Sequence, residues 1–286
     1  MKKINQSAQY AVFLFSLCIV LFSCQKLDKP GLGDYPKDTN PPGGPLKFYA
    51  SFDGASADPL LNAVDSIRAN FAASNPLTSI AGINGKAVKG IDGKGIKYNS
   101  ANDFGKNVSS YSISIWLKNT VPPAGHYEVP FSLAHKDLYY RTAIHFDVYP
   151  VDDGSTVAKA NAYFYMEQPN GNYFEAYLTG SDGIPNLLDN NWHHLVFTYD
   201  EANSQFKLYK DGALLYTQVW TGHGPIVLDN SKLIGLSVGA SNRQVGLEGA
   251  NDGWMFSWQG GLDQLRLYGK KVLSAAEILA LYNSKL

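Results

Sequence analysis

The sequence predicts an all-β sandwich with a short C-terminal helix, and three observations carry that prediction. Strand-like segments recur at short spacing from residue 46 to residue 268, separated by turns rich in Gly, Asn and Asp. No segment before residue 270 holds a sustained helical period. Residues 274–282 then carry a helix start signal and an apolar stripe. Many short strands and one terminal helix bury their apolar faces best as two stacked sheets.

Each element follows from its residues. Leu46–Phe52 (LKFYASF) alternates and stops at Asp53-Gly54. Ser112–Leu117 (SISIWL) puts Ile113, Ile115 and Leu117 on one face. Ala160–Gln168 and Tyr173–Thr179 flank Asn170-Gly171 and read as a hairpin; a two-residue turn there sets Glu167 and Glu175 on opposite faces. Trp192–Tyr199 and Gln205–Tyr209 are joined by Asp200–Ser204. Lys210-Asp211-Gly212-Ala213 closes a further hairpin, since Asp-Gly accepts positive φ at little cost. Lys232–Val238 and Gly261–Tyr268 are the last strands. Ser274 and Glu277 form a capping box, and Ile278, Leu281 and Tyr282 form the helix stripe. No fixed-period repeat suggests a propeller or solenoid, and no second linker breaks the run, so residues 46–286 read as one domain.

The 286 residues are 45% hydrophobic, enough for a sizeable core, and the net charge is −1. Basic residues are scattered, so no field points to nucleic acid as a partner. The two cysteines are Cys18 and Cys24. The predicted domain therefore has no disulfide framework, thiolate metal site or cysteine nucleophile.

The N-terminus reads as an address. Lys2 and Lys3 precede the apolar run Ala11–Phe22, which is too short to cross a ~30 Å hydrocarbon core and suits a signal peptide. Leu21-Phe22-Ser23-Cys24 resembles the lipobox of bacterial lipoproteins, although Phe22 is bulkier than usual there. That resemblance makes 1–23 the signal peptide and Cys24 the lipidated first residue of the mature chain, tied to a membrane by its acyl chains. The alternatives are an ordinary cleaved signal or an uncleaved anchor. By analogy with known sorting, Gln25 favours the outer membrane. Lys26-Leu27-Asp28-Lys29 is a weak version of the surface-export motif of Bacteroidetes-type lipoproteins, so the side of the membrane stays open. Residues 24–45, with five prolines and four glycines, read as the lipidated cysteine and a tether of roughly 60 Å reach.

Four stretches in order resemble the LamG-type family of concanavalin A-like lectin/glucanase domains. They are Tyr49–Gly54, Tyr111–Leu117 (YSISIWL), Asn191–Tyr199 leading to Lys207–Gly212, and Gly261–Tyr268 followed by Leu273–Ile278. The resemblance implies a two-sheet antiparallel jelly-roll sandwich with a short C-terminal helix. Residues 124–180 match none of its motifs, which suggests enlarged loops or added strands.

The resemblance also implies a structural Ca²⁺ near the first and last strands, with Asp53 and Asp263 as the matching side chains. Strict alternation puts Asp263 on one face with Leu265 and Leu267, where a carboxylate needs a cation, a basic partner or backbone donors. His193 and His194 are adjacent, so on a strand they point to opposite faces and cannot chelate one ion. Glycosidases of this architecture need two carboxylates on one face, and laminarinase-like members carry them as E-x-D-x-x-E; that string is absent.

Carbohydrate binding needs aromatic platforms beside planar polar groups. Asn251, Asp252, Arg243, Trp254 and Trp258 in the stretch Ser241–Trp258 offer both, and Trp254 follows a turn signal that suits a rim. Trp220 and the tyrosine-rich hairpin (Tyr163, Tyr165, Tyr173, Tyr177) are alternatives. The expectation is a noncatalytic outer-membrane lipoprotein that binds a glycan. The other readings are a protein-interaction or structural subunit of a cell-surface complex, and a glycoside hydrolase with an unrecognised acid pair. The step from fold to glycan is analogy.

Overall fold

The computed structural model describes residues 43–52, 75–138, 142–151, 157–249 and 253–285. The chain divides into two compact units, Met1–Thr39 and Asn40–Leu286, and every described residue lies in the second. Cys24, Asp53, Asn251 and Asp252 lie outside the described residues.

Two sheets form the domain. The first contains β1 (Leu46–Ala50), β2 (Thr78–Ala81), β3 (Lys86–Lys89), β5 (Tyr111–Lys118), β10 (His193–Asp200), β11 (Gln205–Lys210), β12 (Ala213–Val219) and β15 (Gly261–Gly269). Its order is β12-β11-β10-β5-β15-β3-β2, with β1 also paired to β15. The second contains β4 (Ile96–Tyr98), β6 (Tyr127–His135), β7 (Thr142–Pro150), β8 (Ala160–Glu167), β9 (Tyr173–Leu178), β13 (Leu233–Val238) and β14 (Met255–Ser257). Its order is β4-β13-β6-β7-β8-β9, with β14 beside β6. Pairing is antiparallel except between β14 and β6. The jelly-roll sandwich expected from the sequence is the fold found.

The core lies between the sheets. Ile113, Ile115 and Leu117 of β5 point into it, as their alternation predicts. Phe197 of β10 sits at its centre. Its ring centroid lies 4.7 Å from that of Phe146, 5.1 Å from Phe164, 6.1 Å from Phe131 and 6.4 Å from Phe206. These rings come from both sheets, so one side chain ties β6, β7 and β8 to β10 and β11.

The helix α1 (Ala275–Ser284) closes the chain. Ser274 and Glu277 form the expected capping box, which satisfies two N–H groups at the helix start. A small outer cluster of Leu46, Val196, Tyr209, Tyr268, Leu273 and Ile278 joins the helix to the outer face of the first sheet. Tyr282 stacks on Trp116 at 5.6 Å, and Trp116 stacks on His194 at 4.9 Å. That outer face is thereby occupied. The outer face of the second sheet carries the groove described below.

One sequence expectation fails at β15. Its register with β5 shifts between Asp263 and Arg266, and Gln264 has a φ of 48°. This bulge interrupts the alternation. Leu262, Leu265 and Leu267 all reach the core, while Asp263 pairs across from Trp116 and Arg266 from Ser114, on the outer side. Asp263 does not share a face with leucines.

Candidate functional site: an aromatic and acidic groove

Strands β6 to β9 are consecutive in sequence and adjacent in the second sheet. On β7 and β8 the alternation is strict. Ile144, Phe146, Val148, Phe164 and Met166 go to the core, and His145, Asp147, Tyr149, Tyr163, Tyr165 and Glu167 go to the other face. On β9, Phe174, Ala176 and Leu178 go inward, leaving Tyr173, Glu175 and Tyr177 outside. The outer face is therefore a field of tyrosines and carboxyl groups.

Two local irregularities complete it. The first is the β8–β9 turn. Glu167 pairs with Tyr173 and Tyr165 with Glu175, so the loop is one residue longer than a two-residue turn. Gln168 and Asn172 close it, with Gly171 at φ 80°, the left-handed residue that a three-residue loop requires. Adding one residue inverts the facing of the following strand. Glu167 and Glu175 therefore share a face, contrary to the expectation from the sequence.

The second irregularity is a bulge in β6. Glu128 pairs with Val148 and Phe131 with Phe146, so Val129 and Pro130 stand opposite the single residue Asp147. Proline fits such a site because it has no N–H to donate. The bulge turns Tyr127 toward the groove and Glu128 inward. Glu128 is 1% exposed; Asn119 Nδ2 and the Gln259 N–H donate to its Oε2 at 2.6 and 3.1 Å. Burial outweighs those two hydrogen bonds and pushes the Glu128 carboxyl up from 4.5 to about 7.

The resulting groove has a volume of about 840 Å³, within the range of ligand sites. Tyr127, Tyr149 and Trp254 form one aromatic cluster, with Tyr127 4.2 Å from Tyr149 and 5.3 Å from Trp254. The Tyr127 N–H donates to the Trp254 carbonyl, which fixes this wall to β6. Tyr177, Tyr163, Tyr165 and Tyr173 form a row across β8 and β9, at spacings of 4.8, 6.0 and 6.1 Å. Tyr173 and Tyr177 are each 56% exposed, and Trp254 is 36% exposed. A narrower chamber adjoins the groove, sharing Tyr163, Tyr165 and Trp254 and adding Ser132, Thr142, His145 and Asn242.

Hydrogen bonds lock the row. Tyr163 Oη donates to Glu175 Oε1 at 2.6 Å, Tyr165 Oη to Glu167 Oε2 at 2.7 Å, and Tyr177 Oη to Glu175 Oε1 at 3.3 Å. Burial, and then these carboxylate partners, raise the Tyr163 and Tyr165 phenols, so they stay protonated donors. Burial lifts Tyr149 to about 12. Asp147, beneath Tyr163, is fully buried; Oδ2 lies 3.1 Å from His145 Nε2. Burial raises its carboxyl, against the lowering effect of His145.

The sequence candidates divide. Trp254 and the tyrosine hairpin, offered by the sequence as alternatives, meet in one groove. Trp258 does not join them. It is fully buried in the core and its Nε1 donates to the Gly261 carbonyl, so no ligand can reach its ring. Arg243 is exposed in a short turn of 3-10 helix and does not line the groove. Trp220 stacks instead on His223 at 3.6 Å. Sequence reasoning missed Tyr127, Asp147 and Tyr149; residues 144–149 carry an in-out alternation that could have found the last two.

The histidine pair is structural. His193 shares hydrogen bonds with Asp211 at 2.8 Å and Asp189 at 3.0 Å. Burial pulls its proton affinity down, but those carboxylates carry it above the usual histidine value. His194 faces the other way, 2.8 Å from Ser114 Oγ, and burial lowers it to about 3. Asp263 Oδ2 accepts the Ile83 N–H at 2.9 Å. Among the described residues no group of three or more His, Cys, Asp and Glu side chains is placed to hold a metal ion.

A family model described as the concanavalin A-like lectin/glucanases superfamily matches residues 92–279. Several solved structures share the fold. The binding domain of Paraclostridial Mosquitocidal Protein 1 is 15% identical with a TM-score of 0.57, over 84% of this chain and 52% of that one. The ligand-binding domain of botulinum neurotoxin serotype D, solved with N-acetylneuraminic acid, is 13% identical with a TM-score of 0.55, over 84% and 51%. Domain 4 of an extracellular arabinanase from Geobacillus stearothermophilus, solved with arabinotriose, is 19% identical with a TM-score of 0.52, over 83% and 98%. The chain thus spans about half the length of the two toxin domains. No curated protein matches it in sequence.

Proposed function

The chain belongs to the concanavalin A-like lectin/glucanase superfamily, and from that premise we propose that its groove binds carbohydrate without transforming it. The carrying observation is the open aromatic surface formed by Trp254 and the Tyr177-Tyr163-Tyr165-Tyr173 row. Sugar rings present apolar C–H faces that stack on aromatic rings, and Glu167 and Glu175 accept from hydroxyls. Two of the similar folds were solved with sugars, arabinotriose and N-acetylneuraminic acid, which supports the reading.

Trp254→Ala should weaken glycan affinity about tenfold or more, since a ring of this kind is worth roughly 1.5–2 kcal/mol at a binding site. At 36% exposure on the rim, its loss should lower the melting temperature only modestly. Titration calorimetry with a polysaccharide panel checks both. Full affinity in the variant removes this groove as the site, and no retention of any glycan favours a protein-interaction subunit. A second reading has one observation behind it: Glu167 and Glu175 share a face. Release of reducing ends from any glycan, lost in Glu175→Gln, would make the protein a hydrolase.

We propose further that Cys24 is lipidated and holds the domain at the outer membrane. Cys24→Ala should then move the protein from the membrane fraction to the soluble one. Calcium at Asp53 and Asp263 is also proposed. Asp263 is fully buried and its Oδ2 accepts the Ile83 N–H. EDTA should lower the melting temperature and excess Ca²⁺ restore it; indifference to both ends the proposal.

A further inference from the structure

We infer that the groove recognises an ammonium group, and so selects an amino sugar with a free amine over neutral and anionic sugars. The inference rests on the carbohydrate reading and narrows it. Its first support is charge. The groove is lined by Asp147, Glu167 and Glu175, and among its described lining residues there is no Lys, Arg or His.

The second support is the direction of the hydrogen bonds. Tyr163, Tyr165 and Tyr177 spend their hydroxyl protons on the two glutamates. What these three offer a ligand is lone pairs and ring faces. A carboxylate or sulfate ligand needs donors, and these three are committed. An ammonium group brings three donors of its own and is attracted to the negative faces of aromatic rings.

The third support is the state of one buried oxygen, not the number of charges. Asp147 is 0% exposed, lines the groove, and its Oδ1 has no hydrogen-bond partner among the described residues. Opposite it on β6 stands the bulge with Pro130, which has no N–H to offer. A buried carboxylate oxygen left in this state is costly. A cationic donor reaching Asp147 from the groove supplies the missing partner.

The test uses the full-length protein and four probes: chitosan oligosaccharide, its N-acetylated counterpart, a neutral glucan oligosaccharide and sialyllactose. The expected result is that chitosan oligosaccharide binds at least tenfold tighter than the N-acetylated form, with an advantage that shrinks in salt. Asp147→Asn, which can keep the His145 contact, should erase the difference; Glu175→Gln should reduce it and serves if the first variant does not fold. Equal affinity for the acetylated and free amines, or preference for sialyllactose, overturns the ammonium inference and leaves carbohydrate binding standing. Methylammonium, which keeps three N–H donors, is added as a probe that is not a sugar. If no sugar binds but it changes tryptophan fluorescence in the natural protein and not in Trp254→Ala, the ammonium site stands and the carbohydrate reading falls. If neither binds, both fall.

Discussion

Replacing Phe197 with alanine should lower folding stability by about 3–5 kcal/mol, the usual loss for truncating a buried phenylalanine. The upper end is expected because the cavity cannot collapse from one side. Phe197 is fully buried and its ring contacts Phe131, Phe146, Phe164 and Phe206, which belong to strands of both sheets. Relaxation would need both layers to move. Denaturant unfolding gives the number, and Phe197→Leu should recover most of it. A loss under 1 kcal/mol would mean the sheets are held elsewhere. Phe146 and Phe164 lie directly behind Asp147 and Tyr163 of the groove, on the same strands. Under the proposed function, weakened glycan affinity is expected to accompany the loss.

Glu128→Gln should stabilise the protein at pH 8 by about 3 kcal/mol and do almost nothing at pH 4. The Glu128 carboxyl stands near 7 in the folded protein against an ordinary 4.5, and each tenfold difference in proton affinity is worth about 1.4 kcal/mol. The sign follows from linkage: the folded state binds the proton more tightly than the unfolded one. Below pH 4.5 both states are protonated and there is no penalty. As pH rises from 4.5 to 7 the unfolded chain ionises first, and stability falls. Above 7 the full penalty is present. Glutamine keeps an oxygen for Asn119 and the Gln259 N–H and removes the charge. Melting temperatures of both proteins across that pH range should converge at the acid end. Parallel curves would show that Glu128 is ordinary.

Where the family motifs lie, the fold was legible. Ile113, Ile115 and Leu117 announce β5 because one face is strictly apolar, and Asp211-Gly212 announces its hairpin because it demands positive φ at both positions. Ser274 and Glu277 announce the helix start. The groove was half legible. Tyr163, Tyr165, Tyr173, Tyr177 and Trp254 could be named from chemistry, but nothing local says that residues so far apart meet. Tyr127 was hidden by the bulge, and Pro130 argues against the central strand in which it sits. The relation of Glu167 to Glu175 hung on a single loop residue. At β15 the same kind of irregularity, at Gln264, moved Asp263 away from the leucines.

All but one of the aromatic side chains lining the groove come from residues 127–177, an unbroken run of chain. The inward positions of that run belong to the core and cannot drift far. The outward ones pack on one another, on His145 and on Trp254. Along β7, β8 and β9 the proposed binding face and the core are thus written on alternate letters of the same segment. New ligand preferences can be explored there by changing every second residue, with the other sheet and the helix left untouched, which makes this stretch a natural target for grafting and for library design.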